Sequence, residues 1–206
     1  MRGSKVRLRT PEGEAELELP LPGLYNVYNA LAALAAALRL GVGMDRALEA
    51  LSSVQAAFGR VETIDVAGTP VSILLIKNPA GANEVLRTLR LEAGPDGGGL
   101  DLWMALNDRI ADGRDVSWVW DADFELIAGV ARSVVCAGTR APELAVRLKY
   151  AGLDPATLTI EPSIERSLDR AVAAAAGPLF ALPTYTALIE LRRLLADRGL
   201  AREFWR

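Results

Sequence analysis

The sequence predicts an open α/β domain with a mostly parallel sheet, preceded by a small segment made of a β-hairpin and helices. Three observations carry this reading. From Gly59 onward, short apolar runs alternate with amphipathic stretches. Those runs are continuous rather than alternating, as expected of strands buried on both faces and joined by helical crossovers. Residues 1–58 have a different texture, with polar–apolar alternation followed by an alanine-rich stretch.

At the start, KVRLRT and EAELEL alternate around Pro11-Glu12-Gly13, which reads as two strands and a turn. A ribbon of two strands needs a surface to pack on. The break Pro20-Leu21-Pro22-Gly23 precedes a helix from Tyr25 to Leu40 that stops at Gly41. A second helix is expected near Asp45 to Val54, with Asp45 as its cap. In residues 59–206, five or so strands are expected, at VSILLI (71–76), LDLWMAL (100–106), SVVCA (133–137), a weaker TLTI (157–160) and PLFAL (178–182). Helical patterns fall near Ala82 to Leu89, Ala141 to Ala151, Ile164 to Ala176 and Thr186 to Gly199. Pro95-Asp96-Gly97-Gly98-Gly99 reads as a loop.

Composition narrows the chemistry. The 206 residues are 51% hydrophobic and 24% charged, which argues for a packed core and against disorder. A net charge of −3 disfavours nucleic acid, whose nonspecific binding rests on clustered Lys and Arg. The sequence contains no histidine, so a histidine base, a Ser-His-Asp triad or a His-ligated metal would need another chain. The one cysteine, Cys136, lies in the apolar run SVVCAG and reads as a small buried hydrophobe. No metal site is assigned. MRGSKVRLRT lacks an apolar signal region and no long uncharged apolar stretch occurs, so a cytoplasmic protein without membrane insertion is expected.

Ligands of open parallel sheets bind beyond the carboxyl ends of the strands. The segments in that position are Lys77-Asn78-Pro79-Ala80-Gly81, Asn107-Asp108 and Gly138-Thr139-Arg140. Pro79, Gly81 and Gly138 also suit ordinary turns. Lys77, Asn78, Asn107, Asp108, Thr139 and Arg140 are the candidate substrate-binding residues. The stretch NDRIADGRDVSWVWDADFE (107–125) adds Asp112, Asp115, Asp121 and Asp123 with Trp118 and Trp120. Such carboxylates can orient a histidine, act as a base or hold magnesium, or else form a solvated loop pinned by buried tryptophans. No phosphate-binding loop or dinucleotide fingerprint is present, and Gly97-Gly98-Gly99 precedes a strand, the wrong place for cradling phosphate.

Gly23-Leu24-Tyr25-Asn26-Val27-Tyr28-Asn29-Ala30-Leu31-Ala32-Ala33 resembles the motif that closes the central ATPase domain of Mur ligases, and Gly59-Arg60-Val61-Glu62 resembles their junction into the C-terminal domain. KNPAGANEVLRTL (77–89), ALNDRIADGRDVSWVWDADFE (105–125), AGTRAPELAVRLKYAG (137–152) and ALPTYTALIELRRLL (181–195) are similar to the MurT family, the Mur-ligase-like subunits of lipid II isoglutaminyl synthases. The resemblance implies a Rossmann-like C-terminal domain over residues 59–206 and a remnant of the central domain over residues 1–58. It also implies ATP- and glutamine-dependent amidation of D-glutamate in the lipid II stem peptide to D-isoglutamine, with a GatD-type glutaminase as partner and ATP and Mg as cofactors of the full-length enzyme. Asn26 and Asn29 match adenine-contacting asparagines, and Tyr25 stands where many members have histidine. Lys77-Asn78-Pro79 falls where the family carries a segment beside the activated carboxylate. An aspartate in the region of Asp115 to Asp121 would complete the partner's Cys-His pair, with Asp115 and Asp121 as the catalytic candidates.

The family's phosphate loop, magnesium ligands and zinc ribbon would lie upstream, so this chain alone is expected to bind ATP weakly and to be inactive by itself. A noncatalytic module for binding a glutaminase and a free-standing small-molecule enzyme sharing the fold are the alternatives.

Overall fold

The computed structural model describes residues 3–54, 60–93 and 99–201. The chain divides into two compact units, Met1–Val61 and Glu62–Arg206. Gly59 and most of the 95–99 loop lie outside the described residues, as do the side chains of Arg60 and Val61.

In the first unit, β1 (Ser4–Thr10) and β2 (Gly13–Leu19) form an antiparallel hairpin in the register Val6↔Leu17 and Leu8↔Ala15. The helices α1 (Leu24–Arg39) and α2 (Met44–Ser52) complete the unit. Leu8, Leu17 and Leu19 of the ribbon pack with Ala30 and Leu34 of α1 and Ala47 of α2, so the hairpin buries its apolar face on the helices. Helix α1 ends as the sequence requires, with Leu40 as its cap followed by Gly41 at φ 84°, a left-handed conformation that glycine adopts without strain. Helix α2 departs from expectation: Gly43 occupies the cap and Asp45 lies in the first turn, where its charge meets the positive end of the helix.

The second unit is built on a six-stranded sheet of order β3-β4-β8-β5-β6-β7. Strand β3 (Arg60–Val66) is joined to β4 (Thr69–Leu74) by the Ala67-Gly68 turn, a two-residue connection that only antiparallel neighbours permit. The strands β5 (Leu100–Ala105), β6 (Ala131–Ala137), β7 (Leu158–Ile160) and β8 (Leu179–Pro183) run parallel to β4, with Val71↔Leu179, Leu102↔Phe180, Met104↔Cys136 and Cys136↔Ile160 in register. The helices between and after them are α3 (Pro79–Glu92), α4 (Ala141–Tyr150), α5 (Ile164–Ala174) and α6 (Tyr185–Asp197). Because parallel crossovers are right-handed, α3 and α4, which lead outward toward β7, lie on one face; α5, which leads back to β8, lies on the other against α6.

The central strands are sealed on both faces. Ile73, Leu102, Met104, Val134, Cys136 and Ala181 are fully buried, which explains why they read as unbroken apolar runs. Burial pushes the Cys136 thiol up to about 12, so it stays protonated and unreactive at neutral pH. Strand β3, absent from the expectation, makes the sixth strand; its RVETIDV alternation is that of an outer strand with one buried face, Ile64 and Val66 pointing in.

Candidate functional site

The carboxyl ends of β4, β8, β5 and β6 come out along one edge of the sheet, linked by Ile76 N–H to Pro183 O at 3.0 Å, Thr184 N–H to Ala105 O at 2.9 Å and Leu106 N–H to Ala137 O at 3.0 Å. The approach of β5 to β6 is close. A Cβ on Gly138, at φ 88°, would lie 2.5 Å from Leu106 O and 2.7 Å from Asn107 Oδ1, so only glycine fits there.

Asn107 is the joint of this edge. It is 1% exposed; its backbone N–H donates to Thr184 Oγ1 (3.0 Å), its Nδ2 donates to Thr186 Oγ1 (2.9 Å) and Glu190 Oε1 (3.2 Å), and its Oδ1 accepts from Thr139 N–H (3.0 Å). These bonds tie three strand ends together and engage both amide protons, which makes Asn107 the joint of this edge.

Asp108 stands one residue further out, half-buried. It accepts from Thr139 Oγ1 at 2.8 Å and from Arg140 Nε at 2.8 Å, and those two donors hold its carboxyl below the usual carboxylate range. Arg140 also donates to Glu143 Oε1 at 2.6 Å, and the pairing with Glu143 and Asp108 raises its own pKa. Asn107, Asp108, Thr139 and Arg140 are thus one bonded group. Lys77 and Asn78 lie on the same edge but outside that group. Asn78 caps α3, its Oδ1 accepting from Gly81 N–H at 2.8 Å, while Lys77 is exposed and makes no hydrogen bond or ion pair with the described residues.

The acidic loop leaves this edge after Asp108 and is tied down at several points, among them the Arg109–Glu190 ion pair (2.8 Å), the bond from Asp123 N–H to Asn83 Oδ1 (2.7 Å) and two clamps that flank Asp115. First, Asp112 grips the start of α6: its Oδ1 accepts from Thr186 N–H (2.8 Å) and its Oδ2 from Thr186 Oγ1 (2.5 Å). Second, the guanidinium of Arg147 on α4, 4% exposed, donates to Val119 O (3.0 Å) and Ala122 O (2.8 Å) and pairs with Glu125 (2.8 Å). It lies over the rings of Trp120 at 5.5 Å and Phe124 at 5.4 Å. These bonds shape two short 3₁₀ turns, Ser117–Trp120 and Phe124–Ile127.

Asp115 lies between the clamps. It is exposed, and its Oδ1 accepts from Ser117 N–H at 2.8 Å, a bond that lowers its pKa and keeps it ionised. Asp121 is exposed too; its backbone N–H donates to Trp118 O at 3.1 Å, while its carboxylate makes no hydrogen bond or ion pair with the described residues. The tryptophans are not buried anchors. Trp118 is half-buried, and Trp120 is 53% exposed with its ring 6.0 Å from that of the exposed Tyr150.

Asn26 and Asn29 belong to the first unit. Asn26 is buried and its Nδ2 donates to Pro22 O at 2.7 Å, which fixes the entry to α1; Asn29 is exposed one turn on.

Arg147, Thr186 and Glu190 were not among the residues expected at the site. Arg147 had a signal in the sequence, since it interrupts the apolar stripe Ala141, Leu144, Ala145, Leu148 on α4, and a charge on a buried stripe has a partner to find. Thr186 and Glu190 had none, because their partners come from sequence positions more than seventy residues away.

A sequence model of the MurT ligase C-terminal family matches residues 75–188. The chain is 36% identical over 189 residues to the Streptococcus pneumoniae (strain ATCC BAA-255 / R6) protein named lipid II isoglutaminyl synthase (glutamine-hydrolyzing) subunit MurT, covering 91% of this chain and 41% of that protein. It is 32% identical over 180 residues to the Staphylococcus aureus (strain COL) protein of the same name, covering 85% and 39%. The chain therefore spans about two fifths of the length of these relatives. Among solved structures, MurF from Acinetobacter baumannii superposes with a TM-score of 0.71 at 26% identity, over 95% of this chain and 42% of that one. A pseudomurein peptide ligase type C from Methanothermus fervidus superposes with a TM-score of 0.69 at 20% identity, over 97% and 41%, a likeness of fold.

Proposed function

The chain belongs to the MurT ligase C-terminal family, and on that premise we propose that it is the C-terminal part of the ligase subunit of a lipid II isoglutaminyl synthase. In this reading residues 1–58 are the end of a Mur ligase central domain and residues 59–206 the C-terminal domain. The reaction is the ATP- and glutamine-dependent amidation of D-glutamate in the lipid II stem peptide to D-isoglutamine.

The observation that carries the reading is an exposed, ionised and oriented carboxylate, Asp115, in a chain whose lone thiol is sealed and which has no imidazole. The relatives' name includes glutamine hydrolysis. Releasing ammonia from glutamine calls for a nucleophile and a base. A GatD-type glutaminase partner would supply both as a Cys-His pair, and this chain would supply the orienting acid. Asp115 would accept the imidazole N–H, fix its tautomer and stabilise the imidazolium formed when the cysteine becomes a thiolate.

Other residues suit the ligase half. Lys77, a cation at the strand ends with no ion-pair partner among the described residues, fits the carboxylate to be amidated, and Arg140 with Thr139 borders the same edge. At the nucleotide, Asn29 offers an exposed amide to adenine, while Asn26, with its Nδ2 engaged by Pro22 O, orients the helix that carries it. ATP with Mg, when bound, would activate the carboxylate for attack by ammonia.

The test is glutamine hydrolysis by the full-length subunit reconstituted with its glutaminase. Asp115→Asn should lower turnover by about two to four powers of ten while the complex still assembles. The same loss in Asp121→Asn alone would move the role to Asp121. Wild-type turnover in both variants would end the reading.

A further inference from the structure

We propose that Thr186, through Asp112, is the positioning residue that sets Asp115 for its work on the partner's imidazole; this rests on the function assigned to Asp115 above.

The loop from Asp108 to Asp123 is long and largely exposed, and such a loop would ordinarily sample many conformations. Here one short bonded path runs from the buried sheet edge to the exposed carboxylate. Asn107, immobile in the core, donates to Thr186 Oγ1 at 2.9 Å. Thr186 Oγ1, with its single proton, donates onward to Asp112 Oδ2 at 2.5 Å, and Thr186 N–H reaches Asp112 Oδ1 at 2.8 Å. A carboxylate held at both oxygens by one residue cannot rotate, so Asp112 is fixed in orientation as well as in place. Gly113 follows at φ 87°, turning the chain, and two residues later Asp115 closes on Ser117 N–H. From Val119 onward the backbone is held by Arg147. On its amino-terminal side the loop is also tied by the Arg109–Glu190 ion pair (2.8 Å), and the Asp112 grip is the tether nearest to Asp115.

Nothing in the ligase or hydrolase chemistry consumes Asp112. Both its oxygens already accept from Thr186, which suits it to holding the loop. Its placement matters through Asp115, because a hydrogen bond to an imidazole must be aimed to within a fraction of an ångström to hold one tautomer.

The experiment uses the full-length subunit with its glutaminase and compares Thr186→Val, Thr186→Ser and Ser167→Ala. Valine matches threonine in shape but lacks the hydroxyl; serine keeps it. Ser167 is a buried hydroxyl bonded to Trp103 Nε1 at 2.8 Å, away from the loop, and controls for a general loss of stability.

Thr186→Val should lower kcat for glutamine hydrolysis about ten- to a hundredfold with KM for glutamine unchanged. It should also speed hydrogen exchange at the Ser117 amide. Thr186→Ser should restore both, and Ser167→Ala should lower Tm without moving either. Wild-type kcat in Thr186→Val, beside a deficient Asp115→Asn, overturns the positioning role and leaves the function of Asp115 intact. Loss of kcat in Thr186→Val that serine does not restore, or that Ser167→Ala reproduces, overturns it too. Wild-type kcat in Asp115→Asn removes the role of Asp115, and with it this proposal, instead.

Discussion

An aspartate stands near each end of strand β5, Asp101 within it and Asp108 three residues beyond, and the two live in opposite circumstances. Asp101, at the amino end, is 2% exposed; it accepts from Ser133 Oγ at 2.7 Å, from Ala176 N–H at 2.9 Å and from the guanidinium of Arg132. Beside it lies a cavity of about 390 Å³ lined by Gly99, Arg132, Ala176, Gly177 and Phe180 among others. Asp108, at the carboxyl end, is half-buried, holds Thr139 and Arg140, and opens onto a loop with exposed carboxylates. A cavity and an ion pair are therefore poor guides to function in this sheet. The amino-end group is closed on itself, as a structural knot must be, whereas the carboxyl-end group holds a loop whose acids face outward.

The largest effect that separates the ends is on stability. Asp101→Ala would leave the Ser133 hydroxyl and the Ala176 N–H without acceptors and Arg132 without its counterion, a loss of about 3 kcal/mol in urea denaturation. Glutamine hydrolysis by the surviving folded complex should stay at the wild-type level. A stability loss below about 1 kcal/mol, or a specific fall in turnover, would erase the distinction between the two ends.

A smaller effect sharpens the contrast between core and loop. Trp103 in β5 is fully buried and bonded to Ser167, while Trp120 stands 53% exposed over Arg147. Trp120→Ala should cost about 1 kcal/mol or less, far from the roughly 3–5 kcal/mol of a buried aromatic. Thermal or urea unfolding of the variant checks this; a core-sized loss would make Trp120 an anchor after all.

How far these differences were legible in the sequence depends on how local their causes are. Strands buried on both faces announced themselves as apolar runs, and Gly41 marked a helix end, because period and backbone freedom are written in neighbouring residues. Strand β3 escaped notice because RVETIDV alternates like an exposed segment, and Asp45 was read as a cap although Gly43 takes that place. At the site, the residue types collected at strand ends were readable, but their division of labour was not. Asn107 and Asn78 look alike in sequence, yet one knits three strands and the other caps a helix. Thr186 matters through tertiary contacts that no local pattern encodes, and the break that Arg147 makes in the apolar stripe of α4 announces a partner without saying which.

The smallest expected effect tests the carboxyl end directly, through pH. Hydrogen bonds from Thr139 and Arg140 lower the pKa of Asp108 in the folded protein, whereas in the unfolded chain it returns to the ordinary carboxylate range. The sign follows from linkage. The folded state binds the proton less readily, so the contribution of Asp108 is complete above the unfolded value and is lost as pH falls through the lower, folded value. Asp108→Asn removes the titration while keeping an acceptor for Thr139. The gap in urea midpoint between wild type and Asp108→Asn should therefore be constant from about pH 8 to about pH 5 and shrink only below about pH 4. Because the pair is open to solvent, added salt should narrow the gap at neutral pH as well. A gap that is indifferent to both acid and salt would mean that the Asp108–Arg140 pair contributes no charge interaction, leaving Asn107 and the backbone bonds between Leu106, Ala137 and Arg140 to hold the ends of β5 and β6 together.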